Sequence, residues 1–323
     1  MTIFRSLSDT HELVDSFTRP ASTMLPVSRL RDDPHGEQAR WQAIVEMGWL
    51  AISLPEEAGG IGLSALEEVL AAQSFGRQLI STNYPATVIA AHAFHRANDS
   101  DAVATLLTGQ AHAAFALHGR AQGAGSAIDA EGATYLVAFT GEGVEIRANG
   151  PLEIDDDVHW GRTVFTAPAG EPLLVDTSAD TAIRGRLLIA ALLAGISAES
   201  CERGVEYAKV REQFGQPIGA FQAVKHHCAN MAIMAHAAKE LTIFAALSYT
   251  EGQDAAGSQA DAALNRALRA ARENAGTNIQ VHGGMGFSAE CDAHLFLKAA
   301  RLLDAACGGL SESRRRLVDY SCV

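Results

Sequence analysis

Two glycine-containing segments in the second half of the chain hold the residues best suited to chemistry. In Tyr207-Ala208-Lys209-Val210-Arg211-Glu212-Gln213-Phe214-Gly215-Gln216-Pro217-Ile218, Arg211 and Gln213 precede a turn at Gly215, and Phe221-Gln222 follows. A guanidinium and an amide projecting from one corner suit a phosphate, because arginine offers a fixed fork of donors. A solvated charge favouring the helix dipole is the plainer reading of Arg211. In Gln280-Val281-His282-Gly283-Gly284-Met285-Gly286-Phe287, the close-set glycines let backbone N–H groups approach a ligand. The segment lacks the GK[ST] of a P-loop, and it follows helical sequence, so it is no Rossmann fingerprint. Taken alone it also reads as a structural turn.

Metal and disulfide chemistry find little support. The cysteines, Cys201, Cys228, Cys291, Cys307 and Cys322, are odd in number and widely spaced, which points to reduced thiols. Cys291-Asp292-Ala293-His294 and His226-His227-Cys228 each lack the second half of a zinc ligand set, so no metal is expected.

These residues must be positioned by a mainly helical chain. At 323 residues the length suggests two or three domains. A content of 48% hydrophobic and 20% charged residues excludes a wholly disordered chain. The net charge of −13 disfavours nucleic acid as a partner, since a polyanion gains nothing from counterion release. The longest apolar run, Leu187 to Ala198, falls short of the ~20 residues that span a bilayer. The start, Met1-Thr2-Ile3-Phe4-Arg5-Ser6, has no signal core, so a cytoplasmic location is expected.

Residues 1–112 read as an N-terminal helical domain, with Ala51-Ile52-Ser53-Leu54 strand-like and Ser64 with Glu67 capping a helix from Ala65 to about Arg77. Residues 113–180 read as a reduced middle β domain, a small antiparallel barrel or sandwich. Its β-prone runs are Thr134 to Phe139, Val144 to Arg147, Arg162 to Phe165 and Leu173 to Val175. Residues 181–323 read as a C-terminal four-helix bundle. There Val224, His227, Met231, Met234, Ala238, Leu241 and Ala245 form one stripe, and Leu264, Leu268, Ala271, Ala275 and Ile279 another.

The two segments together resemble those of the acyl-CoA dehydrogenase family. The likeness rests on Arg211-Glu212-Gln213-Phe214-Gly215 with Pro217-Ile218, on Phe221-Gln222, and on Gln280 to Gly286 followed by Glu290. Gly48-Trp49 with Leu54 to Ser64 looks like the family's N-terminal signature, and Gly123-Ala124-Gly125-Ser126 like its flavin-contacting turn. The resemblance runs in order over about residues 30 to 310. It implies a mainly α fold with a small β domain and a C-terminal bundle, and FAD lying between subunits. It further implies that Arg211, Gln213, Phe214, Gln222, Gln280, Gly283 and Gly284 reach the FAD of a neighbouring chain.

The catalytic end departs from the family pattern. Removal of an α-proton from an acyl-CoA needs a positioned carboxylate. In most members this is a Glu followed by Gly-Thr, and ungapped counting from Glu290 puts that position on Cys307. In others it lies on the first bundle helix, here at or near Gly185. Asp304, one helical turn before Cys307, is a secondary candidate, and a thiol of pKa about 8.5 would need an electropositive setting. A packed cysteine and a surface aspartate are preferred, so no catalytic residue is assigned. Arg120-Ala121-Gln122 stands where the family has Thr-Glu-Pro, and Trp160 lacks the context of the flavin-covering strand.

A chain that keeps contacts for a neighbour's FAD but lacks the base resembles the smaller subunit of α2β2 acyl-CoA dehydrogenases of steroid-degrading bacteria. That likeness implies a partner subunit carrying the catalytic Glu, an acyl-CoA substrate that could be steroid-derived, and an electron-transfer acceptor. Two alternatives stay open: a self-sufficient flavin homo-oligomer with atypical dehydrogenase, oxidase or monooxygenase chemistry, and a structural subunit that has lost FAD. Arg314-Arg315-Arg316 reads as a solvated face, with a CoA-phosphate contact as the alternative.

Overall fold

The computed structural model describes residues 7–33, 36–117, 124–141, 143–151, 153–154, 164–168 and 171–321. Arg120 to Gly123, Trp160, Arg162, Thr163 and Cys322 lie outside the described residues. The chain opens with α1 (Leu7–Met24), α2 (Arg29–Asp32), α3 (Glu37–Glu46), α4 (Ala65–Arg77), α5 (Asn83–Arg96) and α6 (Ser100–Leu107). Strands follow: β1 (Ala113–Leu117), β2 (Ala124–Ile128), β3 (Tyr135–Phe139), β4 (Val144–Ala148), β5 (Glu153–Ile154), β6 (Val164–Pro168) and β7 (Pro172–Asp176). Next come α7 (Ala179–Val210), a hairpin of β8 (Glu212–Gln213) and β9 (Gln216–Pro217), then α8 (Gln222–Thr250), α9 (Ala256–His282), α10 (Ala293–Ala306) and α11 (Gly309–Ser321). The fold is mainly α with a small sheet, as the sequence predicts.

α4 begins at the predicted cap. Ser64 Oγ accepts the Leu66 N–H at 3.2 Å, and the Ser64 N–H donates to Glu67 Oε2 at 2.8 Å. Ala51 to Leu54 form no strand. A 3-10 turn spans Trp49–Ala51, and the loop that follows returns so that Ile61, Gly62 and Leu63 donate to the carbonyls of Ala51, Leu54 and Ile52. Trp49, Leu50, Ile52 and Leu54 are buried together, which explains a strand-like apolar run without a sheet.

The strands form one sheet in the order β5-β6-β2-β1-β3-β4-β7. The antiparallel expectation fails at one pair, because β1 and β3 run parallel with Ala113 opposite Tyr135. The connection through β2 makes this possible, since a parallel neighbour needs a long crossover. Among the described residues these strands hydrogen-bond as one continuous seven-stranded sheet.

α7 is the spine. Its stretch from Gly185 to Ser197 is continuously buried, and it packs on α4, α8 and α9. A Cβ on Gly76 of α4 would lie 2.1 Å from the Leu192 carbonyl oxygen, and one on Gly195 would lie 2.1 Å from that of Gln73. The two backbones therefore touch. By length and composition α7 and α8 could each cross a membrane, which the apolar run alone does not suggest. For α7, 83% of the qualifying window is buried inside this chain, against 39% for α8. The predicted α8 stripe is accordingly buried at Met231, Ala238 and Ala245, whereas His227 is exposed and Val224 half-buried.

A buried polar cluster ties the N-terminal helices to the start of α7. Arg184 Nη1 donates to Ser53 Oγ at 2.8 Å and lies 3.4 Å from Glu68 Oε2, while Ser53 Oγ donates to Glu68 Oε1 at 2.6 Å and lies 3.1 Å from His92 Nε2. Burial opposes ionisation of Glu68, but His92, Arg184 and Ser53 together hold its pKa down at about 2. Burial also lowers the pKa of His92. In both cases the unfolded chain takes up the proton first, so stability falls as pH drops below the ordinary 6.5 of histidine and again from 4.5 towards 2. Removing one charge from such a buried network costs about 3 kcal/mol. Glu68→Gln should lower the melting temperature at pH 7 and flatten the pH dependence between 4.5 and 2 in scanning calorimetry.

Candidate functional site

The C-terminal end of α7 and that of α9 meet. The Tyr207 and His282 rings stack with centroids 4.1 Å apart, and His282 Nδ1 lies 2.8 Å from the Asn278 carbonyl oxygen. Arg211 lies one turn beyond Tyr207, and Gln280 two residues before His282, so the stack brings their backbones to one corner. The sequence signal for this joint is an aromatic ring ahead of each glycine turn, Tyr207 before Gly215 and His282 before Gly283.

Arg211 leaves the helix in extended geometry, φ −76° and ψ 120°, and its carbonyl accepts the Ile218 N–H at 2.7 Å. The hairpin between them turns on Phe214 at φ +53° and Gly215 at φ +80°. Two successive positive φ values match the twist of a two-residue hairpin, although an aromatic residue adopts that region at a cost. Phe214 is 93% exposed and meets Phe221 edge-on at 6.2 Å.

The predicted contacts are presented rather than consumed. Arg211, Gln213, Gln222 and Gln280 are exposed. The Gln213 side-chain amide donates to the Glu212 carbonyl at 2.7 Å. At the α9 end, Gly283 adopts φ 60° and ψ −141°, a region essentially reserved for glycine. A Cβ on Gly283 or Gly284 would meet nothing within 4 Å. The space beside Gly284 thus serves no packing within this chain, as in a cradle for an external group. A guanidinium, three amides and open glycine backbone form a donor set that fits the phosphate and sugar end of a nucleotide. Close in sequence to these residues, Val210 and Phe287 are 74% and 77% exposed and Met285 is exposed as well.

The base positions are different in kind. A Cβ on Gly185 would press on the Phe139 ring at 2.9 Å and on Ile89 Cδ1 at 3.0 Å, leaving no room for a side chain. Cys307 is buried, its thiol donates to the Asp304 carbonyl at 3.4 Å, and burial pushes its pKa up to about 12. That thiol holds its proton at neutral pH. Asp304 lies 3.5 Å from Arg272. Burial raises its pKa, against the pull of Arg272 and Arg301. The enclosed apolar cavity between α4, α7 and α10, lined by Leu79, Ile80, Leu192 and Leu302 among others, holds about 30 Å³, far less than a substrate pocket.

The basic run near the C-terminus is split. Arg315 pairs with Glu312 and Asp319. Arg316 is tied to buried Asp261 at 2.8 Å. Arg314 alone stays exposed and without a carboxylate among the described residues. No group of three or more metal-ligating side chains occurs among the described residues.

Comparison with known proteins places these features. Residues 8–106 match the family model described as acyl-CoA dehydrogenase, N-terminal domain, and residues 178–321 that of acyl-CoA dehydrogenase, C-terminal domain. Acyl-CoA dehydrogenase FadE34 of Mycobacterium tuberculosis is 30% identical over 98% of this chain, which spans only 48% of that protein's length. Acyl-CoA dehydrogenase IpdE2 of the same organism is 31% identical over 82% of this chain and 80% of its own. In the crystal structure of the ChsE4–ChsE5 complex from M. tuberculosis, one chain superposes with a TM-score of 0.78 at 23% identity, covering 100% of this chain and 99% of that one, which is a likeness of fold.

The geometry predicts two outcomes. In the folded chain at pH 8, iodoacetamide should alkylate the half-buried Cys228 and Cys291 and spare Cys307, as read by peptide mass spectrometry. Gly185→Glu should lower the thermal midpoint by overpacking, at a cost of about 1–3 kcal/mol, and should install no base.

Proposed function

Because this chain belongs to the acyl-CoA dehydrogenase family, we propose that it is one subunit of an FAD-dependent, hetero-oligomeric acyl-CoA dehydrogenase of α2β2 type. In this reading Arg211, Gln213, Phe214, Gln222, Gln280, Gly283 and Gly284 hold the ADP end of a FAD whose flavin lies in a partner chain. That partner carries the carboxylate that removes the substrate α-proton. FAD, when bound, supplies the hydride acceptor for α,β-dehydrogenation of an acyl-CoA thioester, and an electron-transfer protein reoxidises it.

One observation carries the reading. The nucleotide corner is fully presented, while both base positions are closed, one by the Phe139 ring and one by a buried protonated thiol. A chain freed from cofactor duty would have no physical reason to keep Arg211, Gln222 and Gln280 uncommitted at one corner. The exposed side chains of Phe214, Met285 and Phe287 supply apolar surface of the kind a permanent subunit contact buries. A fused-ring, steroid-derived CoA ester is the substrate proposed, because the closed second site leaves the partner's cavity free to widen. A cytoplasmic location belongs to the same proposal.

The full chain purified alone should bind FAD substoichiometrically by its visible spectrum, and co-expression with a family chain that carries the base should give about one FAD per pair. Loss of a charge-assisted contact costs about 1.5–3 kcal/mol, so Arg211→Ala in the complex should weaken FAD retention at least tenfold. Asp304→Asn should change turnover less than twofold. A full flavin band on a homo-oligomer whose turnover is abolished by Asp304→Asn would sink the shared-site reading.

A further inference from the structure

A second charged feature lies away from Arg211. Residues 269, 272, 273 and 276 of α9, 297 and 301 of α10, and 310 and 314 of α11 are each spaced to share a helix face. The three faces line an open cleft of about 640 Å³. Its polar lining is the guanidiniums of Arg269, Arg272, Arg301 and Arg314 with the single carboxylate of Glu273, and Leu297 and Leu310 supply an apolar floor. A Cβ on Gly276 would meet nothing within 4 Å, so the α9 side of the cleft is open.

The charges do not cancel. Arg269 lies 3.5 Å from Glu273, and Arg272 lies 3.5 Å from Asp304. Arg301 and Arg314 are exposed, and neither has a carboxylate within ion-pair distance among the described residues. Four guanidiniums therefore share one concavity with a single lining carboxylate, in a chain whose net charge is −13. Like charges gathered in a cleft repel, and a polyanion relieves that repulsion while occupying the donor forks. The volume exceeds what a lone inorganic phosphate fills, and the leucine floor suits an uncharged ring.

We propose that this cleft binds a small organic polyphosphate of the nucleoside diphosphate class. The site is separate from the Arg211 corner, although Gln280 lies one turn beyond Gly276 on the same helix, and the test must separate them. Calorimetric titration of the full chain with ADP and with inorganic pyrophosphate should show saturable binding near one per chain, tighter for ADP.

The double variant Arg301→Ala/Arg314→Ala should weaken both at least tenfold with an unchanged melting temperature, since both side chains are exposed. The proposal falls if neither anion binds saturably, or if the double variant binds both normally, which would place the anion elsewhere on the chain, the flavin corner included. Failure here leaves the shared-FAD reading intact, because that rests on flavin content.

Discussion

The contact between the α4 and α7 backbones at Gly76 and Gly195 is the constraint on which the remaining arrangement hangs. Side chains normally keep helix axes about 8–10 Å apart, and here carbonyl oxygens occupy the space a Cβ would need. That approach locks the N-terminal helices against the spine of the C-terminal bundle. It also sets the depth at which Arg184 reaches Ser53 and Glu68, and the seating of Gly185 against Phe139. α7 then runs on until Arg211 emerges at the surface.

Charge is used in two opposite ways along that spine. Near its start, Arg184 is spent on Glu68, and Arg186 lies 3.4 Å from Asp261, which also accepts from Arg316. Such buried pairs hold elements in register, and they leave the arginines unavailable to a ligand. At its far end, Arg211 has no internal partner among the described residues, and its neighbours are amides and glycine backbone. The fold pairs its buried arginines with carboxylates, whereas the Arg211 side chain is exposed.

The same asymmetry marks α8. From Met231 onward it is anchored in the bundle, through Ala235, Ala238 and Ala245, whereas its first two turns hold no fully buried residue. Phe214 holds a left-handed backbone conformation beside them and exposes its ring. Strain of that kind persists where surrounding structure over-determines it, here through the hairpin and the 2.7 Å bond from Ile218 to Arg211.

Local signals were legible in the amino-acid sequence. Ser64 and Glu67 announced the start of α4, helical periodicity placed α7, α8 and α9, and the two glycine segments carried the family resemblance. These depend on neighbours within a few residues, so the order of side chains determines them. Only the tertiary structure decided the rest. It made β1 and β3 parallel partners, turned Ala51 to Leu54 into a buried loop, and buried half of the α8 stripe. It closed Gly185 with Phe139 from a distant strand, and split Arg314, Arg315 and Arg316 among three environments. Each of those outcomes rests on contacts between residues far apart in the chain, and periodicity reports which face is apolar without saying what, if anything, covers it.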